Sequence, residues 1–174
     1  MTVRKILTEP DPFLRQKSKE VDLVNEEIRT LMDDMLETMY EAPGIGLAAI
    51  QVGIPKRVIV IDLGREEEKK NPMYFVNPEI ISNSKNPMTY EEGCLSVPGQ
   101  FAEIERPDKC KIKYIDYNGE KKELNAEGLL ATCIQHEIDH LEGILFIDYL
   151  SKLKKNMIIK KLSKQKKSIE RIVV

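Results

Sequence analysis

Apolar side chains recur at helical spacing in residues 25–41, where they would form one stripe along a helix. Asn25 is a suitable N-cap, and Pro43 and Gly44 end the pattern. The pattern therefore predicts an amphipathic helix whose stripe faces a core. The stripe consists of Ile28, Leu31, Met32, Met35, Leu36 and Met39.

Residues 127–142 predict a second helix, which is apolar on nearly every side. A helix of that kind belongs in the interior of a domain. It nevertheless carries His136 and His140, the only two histidines of the chain. Imidazoles in a core helix need polar partners, so this helix is the first place to look for a functional site.

Between these helices lie short runs rich in β-branched and aromatic residues, which is typical of strands. Asn118 and Gly119 indicate a hairpin turn between two of the runs. A third helix is predicted over residues 151–168. Helices near both ends and in the middle predict an α+β fold, with antiparallel β-sheets packed around the histidine-bearing helix. The predicted strands are residues 57–63, 73–76, 111–116 and 120–124.

Composition narrows the class of protein. The 174 residues fit one domain, residues 1–174, and the formal net charge of -2 argues against a nucleic-acid-binding function. No apolar run approaches the ~18 residues that cross a bilayer, and residues 1–10 lack the features of a secretory or transit peptide. Three cysteines without a close pair do not form a disulfide framework. We therefore expect a cytoplasmic protein without a membrane partner.

Residues 136–140 match the H-E-x-x-H pattern. On a helix, residues four apart share a face, so His136 and His140 can reach one ion while Glu137 lies beside them. The alternative is a pair of histidines that are hydrogen-bonded in a crowded core. Metal binding is favoured because burying two imidazoles and a carboxylate without partners is costly.

A catalytic metal site usually has three protein ligands and an open position. Phe146 stands where the metzincin pattern has its third histidine, so a cysteine is considered instead. Cys110 and Cys133 are best explained as small core residues. Cys94 lies in a turn-rich segment beside Gly93, where the backbone can approach a ligand closely, and is the favoured third ligand.

A glycine-rich segment, residues 44–51 (GIGLAAIQ), is not followed by Gly-Lys-Ser/Thr, which excludes a phosphate-binding P-loop. Together with residues 92–96 (EGCLS) and 135–143 (QHEIDHLEG), it resembles the three signature motifs of the peptide deformylases. The resemblance covers nearly the whole chain, with the motifs in order. That family removes the formyl group from the N-formylmethionine that begins nascent polypeptides, and releases formate.

The resemblance implies one divalent metal ion per chain, usually Fe²⁺ in the family, with Zn²⁺, Ni²⁺ or Co²⁺ able to replace it. It implies that Glu137 is the catalytic acid and base, and that Gln51 and the backbone N–H of Leu95 hold the substrate carbonyl oxygen. Ile50 stands where proline or threonine is frequent, which affects only the expected shape of the cleft. The implied metal ligands are Cys94, His136 and His140.

The resemblance also implies a cleft for an N-formylmethionyl peptide. Gly46 would supply a close backbone contact, and the peptide would pair with extended segments near Ile45 and at Glu92 and Gly93. Each apolar residue assigned to the methionine pocket is equally explained as core. The implied pocket consists of Ile45, Leu129, Cys133 and His136, with Tyr90 at its rim.

Three further features each have two interpretations. Arg106 most simply forms an exposed salt bridge, and alternatively meets a substrate or the carboxylate of Glu92. Asp139 and Glu92 either orient a histidine or cap a neighbour. Residues 151–174 hold nine Lys and Arg against one acid, Glu170. They form either a solvated helix face or, as in some members of the family, a surface that docks on the ribosome.

Two other functions stay open at the level of sequence. A zinc endopeptidase would share the H-E-x-x-H helix, but neither known completion of that motif is present. A non-enzymatic metal-binding or ribosome-associated module would also account for the metal ligands. The intact ligand set with Glu137 argues against a loss of activity.

Overall fold

The first long helix, α1, spans Glu26–Glu41 in the computed structural model, which describes residues 1–64 and 66–173, with side chains as far as residue 167. The Asn25 side chain accepts a hydrogen bond from the Ile28 N–H, as expected of an N-cap. Every residue of the predicted apolar stripe is buried. The predicted amphipathic helix is therefore confirmed.

The described chain contains seven strands, all in antiparallel pairs: β1 Gly46–Ala48, β2 Val58–Ile61, β3 Met73–Asn83, β4 Pro87–Cys94, β5 Val97–Pro107, β6 Lys109–Ile115 and β7 Lys121–Glu127. Five of them form one sheet in the order β1-β2-β3-β6-β7. In β2, Val58 and Val60 pack with α1, whereas Ile59 and Ile61 face the opposite layer. The whole strand is buried because the sheet is covered on both faces.

The second helix, α2, spans Gly128–Leu141 and covers the face of the sheet opposite α1. Ala131, Ile134 and Ile138 are buried in the same apolar cluster as the sheet residues on that face. Gly143 follows with φ of 75°, a left-handed conformation that suits glycine after a helix end. The α+β fold and the interior position of the histidine-bearing helix are thus confirmed.

β4 and β5 form a separate hairpin that packs against α2. The sequence patterns predict a turn-rich segment around Cys94, and a turn is present at residues 95–96, but the two long strands on either side of it were missed. Proline, glycine and charged residues interrupt both strands, so their β-propensity is low. As a consequence, Cys94 lies at the end of a strand, where pairing with Val97 closes the hairpin turn.

The last helix, α3, spans Lys152–Val173 and is longer than the predicted helix over residues 151–168. Leu162 is buried in a cluster with Phe146 and Ile147, which attaches α3 to the domain. The predicted basic tail also includes Val174, which lies outside the described residues. Among the helices that the structure describes, none combines the length and the hydropathy needed to span a membrane.

The N-terminal segment connects the three parts of the chain that carry the sequence motifs. Such backbone hydrogen bonds fix the segments relative to one another, because each buried N–H requires an acceptor. Three backbone N–H groups donate to carbonyl oxygens of these parts: Leu7 to Gln51 (2.7 Å), Glu9 to Ser96 (2.8 Å) and Ser18 to Leu141 (2.8 Å).

Candidate active site

Helix α2 brings both histidines and a glutamate to one place. His136 and His140 lie one turn apart on the same face, with ring centroids 5.1 Å apart. His140 is fully buried, and His136 and Glu137 are almost so. The apolar character of α2 therefore places three polar side chains in the buried interior, where each needs a partner.

Cys94 brings a third ligand atom from the end of β4. Its Sγ lies 3.3 Å from Nε2 of His140, and the ligand atoms of Cys94, His136 and His140 all lie within 4.8 Å of one another. A thiolate and two imidazoles are donors that zinc and ferrous iron accept, and three such ligands leave a position open. The residues thus fit one divalent ion. No second group of this kind occurs among the described residues.

The carboxylate of Glu92 orients the imidazole ring of His136. Glu92 Oε1 lies 2.8 Å from Nδ1 of His136, so Nε2 is the nitrogen left for an ion. Arg106 donates to both Glu92 oxygens, at 2.7 and 3.0 Å. Burial alone would raise the pKa of Glu92, but the hydrogen bonds from His136 and Arg106 lower it below its ordinary value. Glu92 therefore stays charged.

Arg106 is buried, and the expectation of an exposed salt bridge is wrong. The alternative contact with Glu92 is the one in the structure. The guanidinium also donates to Oδ2 of Asp139 (2.8 Å) and lies 4.9 Å from the centroid of the Tyr149 ring. The Tyr149 hydroxyl donates to the same Asp139 oxygen (2.7 Å). Two carboxylates and an aromatic face compensate the buried charge, a combination that no periodic pattern in the sequence reveals.

The two histidines have opposite pKa shifts. Burial alone would lower the pKa of His136, but hydrogen bonds with Cys94 and Glu92 raise it well above its ordinary value. Burial, with the nearby charge of His136, lowers the pKa of His140 well below its ordinary value. His140 is therefore held neutral, which is the state in which an imidazole binds a metal.

Glu137 lies against the glycine-rich segment. Burial raises the pKa of its carboxyl group to about 7, and Oε2 has no hydrogen-bond partner among the described residues. A Cβ atom at Gly46 would lie 2.6 Å from Oε1, so only glycine leaves room for this carboxylate. A carboxyl group that titrates near neutrality and has an unpaired oxygen is suited to accepting and releasing a proton.

The Gln51 amide is oriented by two neighbours. Its Oε1 accepts from the Ala48 N–H (2.9 Å), so its Nε2 faces the other way and donates to Oγ of Ser96 (3.0 Å). Nε2 also lies 3.6 Å from Sγ of Cys94. Gln51 therefore presents amide N–H donors beside Cys94, one of the three potential metal ligands.

A cavity of about 510 Å³ opens beside the potential metal ligands Cys94 and His136. Its wall contains every residue that the sequence assigns to the site except His140, which is fully buried. Phe101 and Thr132 also line the cavity, and neither was identified as a site residue from the sequence. Phe101 belongs to the unpredicted strand β5. Thr132 lies one helical turn before His136, and this spacing is a signal that could have identified it.

The apolar side of the cavity is formed by Ile45, Leu129 and Cys133, with Tyr90 nearby. Leu129 is 40% exposed and so lies at the mouth. Burial raises the pKa of the Cys133 thiol to about 12, so this side of the cavity carries no charge from that thiol near neutral pH. The wall therefore suits an uncharged apolar side chain.

A buried H-E-x-x-H helix with a cysteine as the third potential ligand defines the class of metal-dependent hydrolases that use one ion. The chain matches the family model described as polypeptide deformylase over residues 3–156, and it belongs to this family. It is accordingly a hydrolase that removes the formyl group from the N-terminal formylmethionine of polypeptides.

Curated relatives and solved structures agree with this membership. The peptide deformylase of Pelagibacter ubique (strain HTCC1062) is 67% identical over 174 residues, which is 100% of both chains. That of Phenylobacterium zucineum (strain HLK1) is 61% identical and covers 97% of this chain and 99% of its own. The crystal structure of peptide deformylase from Ehrlichia chaffeensis is 43% identical, with a TM-score of 0.91, and covers 96% of this chain and 98% of that one.

Proposed function

We propose that Cys94, His136 and His140 hold one divalent ion and that Glu137 moves the protons during hydrolysis of the formyl amide. The observation that carries this proposal is the convergence of the three ligand atoms within 4.8 Å beside a buried glutamate. A thiolate and two imidazoles suit Fe²⁺, with Zn²⁺, Ni²⁺ or Co²⁺ able to substitute. When bound, such an ion polarises the formyl carbonyl and lowers the pKa of water.

Glu137 acts first as a base and then as an acid. Its pKa of about 7 lets the carboxylate accept a proton from the attacking water near neutral pH. The same carboxyl group then returns the proton to the leaving nitrogen, which gives formate and a free N-terminus. Its Oε2 has no hydrogen-bond partner among the described residues, so no existing hydrogen bond at that atom competes with these transfers.

Gln51 and Leu95 stabilise the negative charge that develops on the formyl oxygen. The Gln51 amide is held with Nε2 toward Cys94 and Ser96, so its donors are in place before the substrate arrives. The backbone N–H of Leu95 follows Cys94 directly in the chain. Preorganised donors of this kind are each worth roughly 10²–10³ in rate.

The cavity binds the methionine side chain along the wall formed by Ile45, Leu129 and Cys133, with Tyr90 at the rim. β1 is the edge strand of the five-stranded sheet, so its outer side is available to an extended peptide. The peptide backbone therefore lies between β1 and the Glu92–Gly93 end of β4. Gly46 contributes a close backbone contact, because it has no side chain to block the cleft.

The direct test is formate release from a formyl-Met-Ala-Ser peptide by iron-loaded protein prepared without oxygen. Glu137→Gln keeps the shape of the side chain but cannot exchange the proton, so we expect release to fall at least 10²-fold with metal content unchanged. Glu103→Gln, on the exposed face of β5, is the matched control and should keep full activity. Equal rates for Glu137→Gln and wild type would refute the assigned role.

We further propose that α3 docks on the ribosome and that the enzyme acts on nascent chains in the cytoplasm. The tail holds nine of the chain's 27 basic residues but one of its 29 acidic residues, which suits a phosphate-rich surface. Because Leu162 is part of the core, truncation would disturb the domain. Charge reversal of exposed lysines is the cleaner test, with Lys160, Lys161 and Lys164 changed to glutamate.

We expect this variant to lose co-sedimentation with ribosomes at physiological salt while it keeps its activity on free peptides. The matched control is the same reversal at Lys109, Lys113 and Lys122, exposed lysines of β6 and β7. Unchanged co-sedimentation of the α3 variant would remove the proposed partner.

A further inference from the structure

Tyr149 combines an exposed position with contacts to polar groups of the interior. The residue is 52% exposed, yet its hydroxyl donates a hydrogen bond to Oδ2 of Asp139 (2.7 Å) and its ring lies 4.9 Å from the guanidinium of Arg106. Partial burial and the hydrogen bond to Asp139 raise the pKa of Tyr149 to about 12, so the hydroxyl stays a donor near neutral pH. Side chains at exposed positions usually matter little to the rest of a protein, so these contacts require an explanation.

A continuous series of hydrogen bonds connects the Tyr149 hydroxyl to a proposed metal ligand. Asp139 accepts from Nη1 of Arg106 (2.8 Å), and Arg106 donates to both oxygens of Glu92. Glu92 in turn lies 2.8 Å from Nδ1 of His136. Among the described residues, Arg106 and Tyr149 are the side-chain hydrogen-bond partners of Asp139. The Tyr149 hydroxyl therefore helps to fix the carboxylate that holds the guanidinium in place.

The element that carries Tyr149 is itself anchored next to the site. Tyr149 is the last residue of a four-residue 3₁₀ helix that connects α2 to α3. Asp148 of this helix pairs with Arg15 of the N-terminal segment (2.6 Å). Phe146, the first residue of the helix, is buried, and its ring stacks on His136 with centroids 6.1 Å apart and an angle of 24° between the planes. The same short helix thus contacts His136 directly through Phe146 and indirectly through Tyr149.

We propose that Tyr149 is a positioning residue of the metal site and acts on His136 through these hydrogen bonds. Its hydroxyl holds Asp139, Asp139 fixes the guanidinium, and the guanidinium orients the carboxylate that keeps Nε2 of His136 toward the ion. Partners directly behind a metal-binding histidine commonly change metal affinity or activity by about 10- to 100-fold. Because three side chains separate Tyr149 from His136, we expect a smaller effect.

The test is the variant Tyr149→Phe, which removes the hydroxyl and keeps the ring against Arg106. We expect the zinc dissociation constant of metal-free protein, measured by competition with a chromophoric chelator, to rise roughly three- to tenfold. In iron-loaded protein, kcat should fall by a similar factor, whereas KM for formyl-Met-Ala-Ser should stay near that of wild type. The reason is that Tyr149 does not line the cavity.

Tyr117→Phe is the matched control, because the Tyr117 hydroxyl also donates to a carboxylate, that of Asp33 in α1 (3.1 Å). Neither residue of that pair lines the cavity. The control variant should therefore keep the zinc affinity and the kcat of wild type.

Two further measurements separate positioning from a general structural role. If Tyr149 acts through Asp139, then Asp139→Ala should weaken zinc binding, and adding Tyr149→Phe should cause no further loss, since effects within one network are not additive. The midpoint of thermal unfolding of metal-free Tyr149→Phe should stay near that of wild type, as for most changes at exposed positions. A lower midpoint with unchanged zinc affinity, or losses of affinity that add in the double variant, would contradict the proposed role.

This inference rests on the proposed ligand set, and zinc binding by wild-type protein tests that set separately. If wild-type protein binds no zinc, the proposed metal centre fails, and the role of Tyr149 fails with it. If wild-type protein binds zinc and Tyr149→Phe binds it equally tightly, the metal centre stands and the role of Tyr149 is refuted.

Discussion

At the scale of single residues, two carboxylates near the proposed metal ligands behave differently because their neighbours differ. Glu92 is bonded to Arg106 and His136, and these partners hold its pKa below the ordinary value. Glu137 is buried without a hydrogen-bond partner for Oε2, and its pKa rises to about 7. Divergent pKa values in one site indicate divided roles. These opposite shifts agree with the proposal that Glu92 orients His136 and that Glu137 exchanges the proton.

The Gly46→Ala variant tests whether catalysis depends on the exact position of the Glu137 carboxylate. The added Cβ would lie 2.6 Å from Oε1 of Glu137, so the carboxylate must shift by several tenths of an ångström. We expect kcat to fall about 10- to 100-fold, because small displacements of a reacting group are costly. The midpoint of urea unfolding should change little, since Gly46 does not have a positive φ.

The matched control for this prediction is Gly53→Ala. Gly53 has a positive φ of 84°, and no atom lies within 4 Å of the place that an added methyl group would occupy. The substitution should therefore lower stability and leave kcat unchanged. A Gly46→Ala enzyme with the wild-type kcat would show that the carboxylate is not confined by the glycine-rich segment.

At the scale of elements, the site depends on segments far apart in sequence that meet around α2. The β4–β5 hairpin supplies Cys94, the segment after β1 supplies Gln51, and the N-terminal segment bonds to both regions. The periodic apolar stripe was sufficient to predict α1, and the long run that is apolar on nearly every side was sufficient to predict α2. Such patterns failed for β4 and β5, where Gly93 is required for contact with the Phe101 ring and interrupts the strand pattern.

Asp62 joins two elements and makes stability depend on pH. It accepts hydrogen bonds from the Tyr40 hydroxyl of α1 and from the backbone of Gly64 and Asn71. Burial alone would raise the pKa of Asp62, but these bonds lower it. The ionised form therefore stabilises the fold above the unfolded pKa of about 3.9, and this contribution is lost as pH falls through the lower folded pKa.

We expect Asp62→Asn to lower the free energy of unfolding by about 1.5–3 kcal/mol at pH 7, as for hydrogen bonds to a charged group. The difference from wild type should shrink as the pH is lowered below 4, measured by urea unfolding at each pH. Asp22→Asn, at an exposed position, serves as the control and should change little. A difference independent of pH would contradict this role of Asp62.

At the scale of the whole molecule, the sequence was sufficient for the fold class, the family and the convergence of the ligand residues. H-E-x-x-H is local, so helical geometry alone brings His136 and His140 together. Contacts between residues far apart in the chain could not be predicted from such local spacing. The burial of Arg106 depends on partners 14 and 33 residues away in the chain, and the unpaired hydroxyl of Thr132 depends on packing.

The measurement that tests the proposed metal centre most directly is X-ray absorption spectroscopy of the protein loaded with one equivalent of zinc. We expect one sulfur and two imidazole ligands per ion, and loss of the sulfur signal in Cys94→Ser but not in Cys133→Ser. A sulfur signal that persists in Cys94→Ser, or an ion bound without sulfur in wild type, would contradict the proposed ligand set.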